Sequence, residues 1–385
     1  MVSLALIMGT IGTALASPLY PIYQTLWHLL PSQITYIFVA YMFGCLATLL
    51  FLGRASNSFG FLKVLQIGIC FAILGLSLSA FAPNMISLAF ARFIIGIASG
   101  LINTSAMLGL VLTIPDAYKK NAAQFSSIIT VIGFGLGPLI GGLIAQFFPK
   151  PLITPYLPII LGAIVCLFGL FNIRVPQTQS ESFSVAPHLE LPQSLFKPLF
   201  YIAGFTAFSA FASFSLFASL APSFVKDAIP WHGPLVSGIA ISSILLVSAI
   251  IQFFAKNLLP KTCIQIGLSS LILSYVLLAL CMTQQWGFLF FISDILIGVG
   301  HGLGLMGAFS LIHLMTNLKN RAAVMSTYLF IGYLGTIIPI IGVGFLADYF
   351  GFITAILTFC ITIGLLCLWL IIRYQQQKQT HLPHY

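Results

Sequence analysis

"ARFIIGIASGL" (Ala91–Leu101) and "SDILIGVGHGL" (Ser293–Leu303) read as one passage written twice. Gly96 falls on Gly298, Gly100 falls on Gly302, and apolar residues match between them. Three weaker echoes keep nearly the same spacing. "ASPLYP" from Ala16 falls on "ASLAPS" from Ala218, "NAAQFSS" from Asn121 sits near "RAAVMST" from Arg321, and "QIG" occurs at Gln66 and Gln265. No single match decides anything. A near-constant offset of about 202 residues does, because self-similarity at a fixed period is the mark of an internal duplication.

Composition says what is duplicated. The chain is 59% hydrophobic and 5% charged, whereas a soluble domain carries roughly 25% charged residues. That gap predicts a polytopic membrane protein, in which about 20 apolar residues make one crossing. Apolar runs between polar or Pro-rich breaks give twelve spans: 2–25, 33–53, 63–82, 85–112, 124–148, 152–173, 199–224, 234–254, 262–282, 286–315, 322–347 and 352–372. Each copy of the repeat is therefore six helices long, with the same orientation. The expected fold is an all-α membrane protein of twelve transmembrane helices, built as two pseudo-symmetric six-helix bundles. Their two-fold axis lies along the membrane normal, with a central cavity between them.

Charge sets the orientation. With the N-terminus in the cytoplasm, twelve of the fifteen Lys and Arg residues fall on the cytoplasmic side. These are Arg54, Lys63, Lys119, Lys120, Arg174, Lys197, Lys256, Lys261, Lys319, Arg321, Arg373 and Lys378. Only Lys150 and Lys226 fall outside, and Arg92 lies within a span. This is a strong positive-inside bias, predicting an inner-membrane protein with both termini cytoplasmic. The polar, Pro-rich segment 174–198 reads as a cytoplasmic linker. It divides an N-terminal bundle (1–173) from a C-terminal bundle (199–373), with a cytoplasmic tail at 374–385. Ala14-Leu15-Ala16 resembles a signal-peptidase site, but nothing basic precedes it and Gly9 and Gly12 interrupt the run. Residues 1–25 are expected to remain as a real span.

Several functions are excluded. The net charge of +9 is not clustered as a nucleic-acid surface would be. All seven cysteines lie in apolar stretches without metal-ligand spacing, so they read as packing residues and no metal is expected. There is no GxxxxGK[ST] nucleotide loop. A membrane enzyme would cluster acidic residues and histidines, which this chain, with six acidic residues, does not. A channel would repeat one polar or charged residue at one depth. Here the repeat places Arg92 against Asp294, opposite in sign.

The fifth span holds the least helical-looking passage, "GFGLGPLIGGLIAQFF" (Gly133–Phe148). In lipid such a segment stays helical, because its backbone has no other partner. Gly133, Gly137 and Gly141 are four apart and form one face for close helix approach, with Gly142 beside it. Pro138 is expected to kink the span.

On three local patterns the chain resembles the major facilitator superfamily, over essentially its whole length. "GFGLGPLIGG" is similar to that family's Gly-Pro motif, typical of its antiporter branches. "ARFIIGIASG" is similar to its fourth-span Arg-x-x-x-Gly-x-x-x-Gly. "GRASNSFGFLK" (Gly53–Lys63) occupies the loop after span two where the family carries G-x-x-x-D-x-x-G-R-R/K. Gly53, Gly60 and Lys63 match, with Arg54 nearby. Asn57 replaces the aspartate, and Phe61 and Leu62 replace basic residues. The resemblance implies a loop that latches the cytoplasmic gate. Asn57 and Gly60 equally suit a plain chain reversal. It also implies that spans four and ten line the cavity, and that span five packs against span eight across the halves. Ser237, Gly238, Ser242 and Ser243 are the small residues span eight offers.

Of the formal charges, only Arg92 and Asp294 lie well inside spans. A charge at a helix centre costs about 2.5–3.5 kcal/mol on insertion scales, so each is a functional candidate. A carboxyl whose desolvation and neighbouring charge change between two states binds protons differently in each. A static ion pair is the plainer alternative. His301 lies two turns beyond Asp294, as a proton relay, a substrate contact or a simple hydrogen-bonding residue. Ser99 and Asn103 follow Arg92 in the same way. Phe205, Phe208, Phe211, Phe214 and Phe217 recur along span seven. Phe208 and Phe211 offer an aromatic substrate wall, or face lipid and packing partners. Tyr20 and Tyr23 read as interfacial anchors or substrate contacts, and Asp348 as a solvated cap.

The expectation is a secondary active transporter working by alternating access. Proton-coupled export of a small organic or amphipathic compound is favoured, the export by resemblance and the proton by Asp294. Import of a nutrient or organic anion is the alternative. Expected partners are substrate, protons and lipid. No cofactor is expected beyond the proton gradient as energy source, and a monomer is expected to suffice.

Overall fold

The computed structural model describes residues 1–113, 122–173, 186–187, 189–223, 231, 233–255, 257–317 and 320–377, without the side chains of 122–127. Most of the predicted linker lies outside the described residues, as do Asn121, Lys119, Lys120, Arg174, Lys226, Lys256, Lys319 and Lys378.

Every regular element among the described residues is helical. Ten of these helices, counted among the described residues, are long and apolar enough to cross a membrane. One of them, Arg321–Gln376, has 56 residues and is broken at Gly351, whose φ of 82° is the left-handed backbone that glycine tolerates. It supplies spans eleven and twelve. Tyr156–Phe171, with 16 residues, is the short sixth span. The twelve predicted spans are thus all accounted for. Their outward sides carry large apolar groups such as Ile86, Phe147 and Phe168, as lipid-facing helices do.

The boundaries differ in detail. Span one is a helix over Val2–Ala14, a tight turn at Ser17–Leu19 and a second helix over Tyr20–Trp27, with Pro18 and Pro21 at the joins. Span two starts at Pro31 and ends in a wide π turn at Thr48–Leu52. Span twelve runs into the expected tail, to Gln376.

The chain groups into two compact units. The first comprises Met1–Leu29, Tyr36–Pro187 and Gly233–Ser242. The second comprises Leu30–Thr35, His188–His232 and Ser243–Tyr385. In the first, Leu6, Leu65, Ile69, Ile102, Cys166 and Leu170 form a core where spans one, three, four and six meet.

The duplicated glycines have duplicated jobs. A Cβ on Gly96 would strike the Tyr41 carbonyl and lie 2.9 Å from Gly44 Cα, so span four rests on span two. On Gly298 it would meet Val247 Cβ at 2.8 Å and the Ile244 carbonyl at 2.9 Å, so span ten rests on span eight. Gly100 and Gly302 repeat this against Thr48 and Ser248. Gly68 and Gly267, from the two "QIG" passages, set span three against Ile102 and span nine against Gly304. Small residues let helix backbones touch where lipid supplies no hydrophobic drive between them.

The fifth-span glycines require a correction. Cβ atoms on Gly133, Gly137 and Gly141 would strike Thr10, the Ile11 carbonyl and the Leu15 carbonyl, all in span one. That face packs on span one, within the N-terminal six helices. Span eight is met by the adjoining face: Gly142 lies against Pro234 and Leu235, and the Pro138 carbonyl against Gly238. Proline 138 leaves the carbonyl of residue 134 without its helical donor, yet the helix continues over Ala122–Phe147. Ser243, assigned above to this contact, serves Asp294 instead.

Asp348 is also placed differently. Its Oδ1 accepts the backbone N–H of Ser32 at 3.0 Å, in the first turn of span two. The first N–H groups of a helix lack internal partners, and a carboxylate there is favoured by both hydrogen bonding and the helix dipole. Asp348→Ala is expected to cost about 0.5–2 kcal/mol, the usual worth of such a cap. Asp348→Asn should retain most of it. Unfolding of the detergent-solubilised variants measures both.

In the loop after span two, Ala55–Phe59 form a short helix and Gly60 (φ 84°) makes the turn into span three. Asn57 lies inside that helix, its N–H bonded to the Arg54 carbonyl at 3.0 Å, so it does not reverse the chain. Gly53, Arg54, Asn57 and Lys63 are exposed.

Candidate functional site

In the first unit, Arg92 is 1% exposed. Its Nη1 donates to the Thr13 carbonyl of span one at 2.7 Å, and its guanidinium lies 5.1 Å from the centre of the Tyr41 ring. Its Nε is buried with no hydrogen-bond partner among the described residues. The cation is thus held by a carbonyl and a ring face, both weaker than a carboxylate. Tyr41 carries the arrangement onward. Its hydroxyl shares a hydrogen bond with Ser99 Oγ at 3.3 Å, and Asn103 Nδ2 reaches the Ser99 carbonyl at 2.9 Å and its Oγ at 3.3 Å. Arg92, Ser99 and Asn103, one turn or two apart, are joined through a ring from span two that the pattern did not identify.

Tyr20 and Tyr23 are not interfacial anchors. They are 0% and 1% exposed. The Tyr23 hydroxyl shares a hydrogen bond with that of Tyr156 at 3.3 Å and meets the Ser79 carbonyl at 3.4 Å. The kinked second half of span one turns these rings inward.

In the second unit, Asp294 is 2% exposed. Ser243 donates to its Oδ2, while Oδ1 is buried with no partner among the described residues. One oxygen is held and the other is buried unpaired, which suits a group that gains and loses a proton. His301 is 7% exposed, and its Nδ1 shares a hydrogen bond with Ser248 Oγ at 3.0 Å. Its ring lies 6.0 Å from Phe211 and 5.8 Å from Phe214. Phe211 also stacks on Tyr333 at 5.8 Å. Phe208 stands apart, beside Phe205 and with its backbone against Gly335. Phe217 is buried on Phe290. The aromatic wall at His301 is therefore made by Phe211, Phe214 and Tyr333, without Phe208.

Span eight supplies what the sequence reading missed here: Ser243, Ser248 and Gln252, which donates to Ser248 Oγ at 3.1 Å. The signal was present, since Ser248 and Gln252 are four apart and so share one face of the span. Six of the seven cysteines are buried and Cys70 is exposed. Among the described residues no cluster of His, Cys, Asp or Glu could hold a metal ion.

Comparison with known proteins adds the following. The profile described as Major Facilitator Superfamily matches residues 2–280. The chain is 27% identical over 157 residues to the riboflavin transporter RibZ of Clostridioides difficile (strain 630), covering 40% of this chain and 34% of that one. It is 27% identical over 174 residues to the multidrug resistance protein MdtL of Vibrio parahaemolyticus serotype O3:K6 (strain RIMD 2210633), covering 45% and 43%. The matches thus span less than half the length of these curated relatives. Among solved structures, the nucleoside transporter NupG (D323A mutant) superposes with a TM-score of 0.77 at 15% identity, covering 97% of this chain and 98% of that one. A bacterial homologue of the human lysosomal transporter Spinster, inward-facing and occupied, gives 0.76 at 12% identity, covering 100% and 97%.

Proposed function

The chain belongs to the Major Facilitator Superfamily, a family of transporters and not of enzymes, and from that premise we propose that it is a proton-coupled secondary active transporter. It exports a small organic or amphipathic compound in exchange for protons, by alternating access, across the inner (cytoplasmic) membrane. Both termini are cytoplasmic and one copy of the chain suffices. The observation that carries the reading is Asp294: a carboxyl buried in span ten, held through one oxygen by Ser243, with the other unpaired among the described residues. An embedded ionisable group is expensive, and such groups mark proton and substrate pathways. The names of the two curated relatives, a riboflavin transporter and a multidrug resistance protein, support an organic substrate over an inorganic ion. The fifth-span Gly-Pro passage supports export.

A second reading rests on Arg92. Its buried Nε without a partner suits an anionic group, and an importer of an organic anion would use it. Everted vesicles separate the two. With an acid-inside gradient and a pH-sensitive dye, an exchanged compound releases protons as it is concentrated inside, and a protonophore abolishes both. An importer coupled by symport instead takes up proton and compound together in right-side-out vesicles. No proton movement with any compound of a broad panel, in either orientation, defeats proton coupling.

A further inference from the structure

Two hydrogen bonds in series join Gln252, Ser248 and His301. A hydroxyl has one proton to give and accepts through its lone pairs. The Gln252 amide donates to Ser248 Oγ at 3.1 Å. The hydroxyl keeps its own proton to give, and His301 Nδ1 lies 3.0 Å away to take it. With Nδ1 as that acceptor, a neutral imidazole carries its proton on Nε2. The geometry is stiff, because a Cβ on the neighbouring Gly302 would lie 2.7 Å from the Ser248 carbonyl and 3.0 Å from its Cα. The two helices touch there, and Ser248 has little room to turn away.

Aromatic rings border the imidazole. Phe211 and Phe214 flank it, and Tyr333 extends the surface by stacking on Phe211. All three aromatic side chains are half-buried. Among the described residues no hydrogen-bond partner meets Nε2. A donor set among ring faces is a site for a single acceptor. It is complementary to a flat conjugated body, which the rings can stack on, bearing an acceptor for the N–H.

We propose that Gln252 is a positioning residue: acting through Ser248, it fixes His301 as an Nε2–H donor, and the transported compound is a planar heteroaromatic that presents a ring nitrogen or carbonyl to it. This rests on the transporter reading and adds the substrate class to it. Gln252→Glu inverts the chain of bonds. A carboxylate only accepts, so it draws the Ser248 proton, and Ser248 Oγ then accepts from Nδ1–H.

The test uses full-length protein labelled with ¹⁵N-histidine, the His301 signals being assigned by their loss in His301→Gln. The wild type should show a neutral ring with the proton on Nε2. In Gln252→Glu, Nδ1 should be protonated. Fluorescence titration with two matched tricyclic probes reads the consequence: acridine, whose ring nitrogen accepts, and carbazole, whose ring N–H donates. Wild type should prefer acridine at least about tenfold, a difference of about 1.4 kcal/mol, and Gln252→Glu should lose or reverse that preference. If Gln252→Glu does not accumulate, Gln252→Met, which removes the donor without adding charge, should give mixed tautomers and a weakened preference. A wild-type proton on Nδ1, or variants that leave tautomer and preference unchanged, overturns the positioning role. Equal binding of both probes, or of neither, overturns the substrate class. The proton gradient plays no part in these measurements, so they and the Asp294 reading fail independently.

Discussion

Asp294→Asn is expected to abolish proton-driven accumulation while leaving downhill exchange of substrate in place. A gradient of one pH unit supplies about 1.36 kcal/mol per proton, enough for about a tenfold concentration ratio across the membrane. In the variant that ratio should fall to about one. Asparagine keeps an oxygen for the Ser243 hydroxyl, so the contact between spans eight and ten survives. What it loses is the ability to exchange a proton at the oxygen that is buried and unpaired in Asp294. Counterflow of labelled against unlabelled substrate, with no gradient, checks that the carrier still cycles. A variant that still concentrates substrate tenfold, with unchanged pH dependence, shows that the coupling proton sits elsewhere.

The second large effect is expected at Gly96. Its missing side chain is what lets spans two and four touch. An added Cβ would strike the Tyr41 carbonyl and come within 2.9 Å of Gly44 Cα and 3.0 Å of Cys45 N, all backbone atoms. No rotamer change relieves a clash of that kind, so the helices must part. Overpacking of this sort costs about 1–3 kcal/mol for an inserted methyl, and Gly96→Leu should cost enough to remove folded protein from the membrane. Parting the helices also moves the Tyr41 ring, which sits against Arg92 and joins it to Ser99. Gly342→Ala is the control, since nothing lies within 4 Å of the position a Cβ would take. Unfolding in denaturing detergent gives the comparison. Equal stability of Gly96→Ala and Gly342→Ala contradicts the close approach.

Much of the fold was legible because lipid imposes strong rules on sequence. Spans must be long and apolar, so composition alone found them. The repeat was legible because the same close approaches recur in both copies and demand glycine at the same register. Gly96 with Gly298, and Gly100 with Gly302, are the clearest cases. The candidate site was half legible. Arg92, Asp294 and His301 stood out because polar groups in a membrane are rare and costly. Their partners Ser243, Ser248, Gln252 and Tyr41 are ordinary membrane residues, whose meaning depends on which helix lies opposite.

The number of helices, their duplication and the few positions where charge enters the membrane can be read along the chain. Those properties follow from length, hydropathy and register along one chain. Partners are a property of the packed structure. It turned the Gly133, Gly137 and Gly141 face to span one and left Gly142 and the Pro138 carbonyl for span eight. It brought Asp348 to the start of span two, and it took Tyr20 and Tyr23 from the interface into the interior. A helix face shows in sequence only that something packs closely against it. Which neighbour does so depends on the rotation and crossing of two helices, and that is settled when all the side chains pack together.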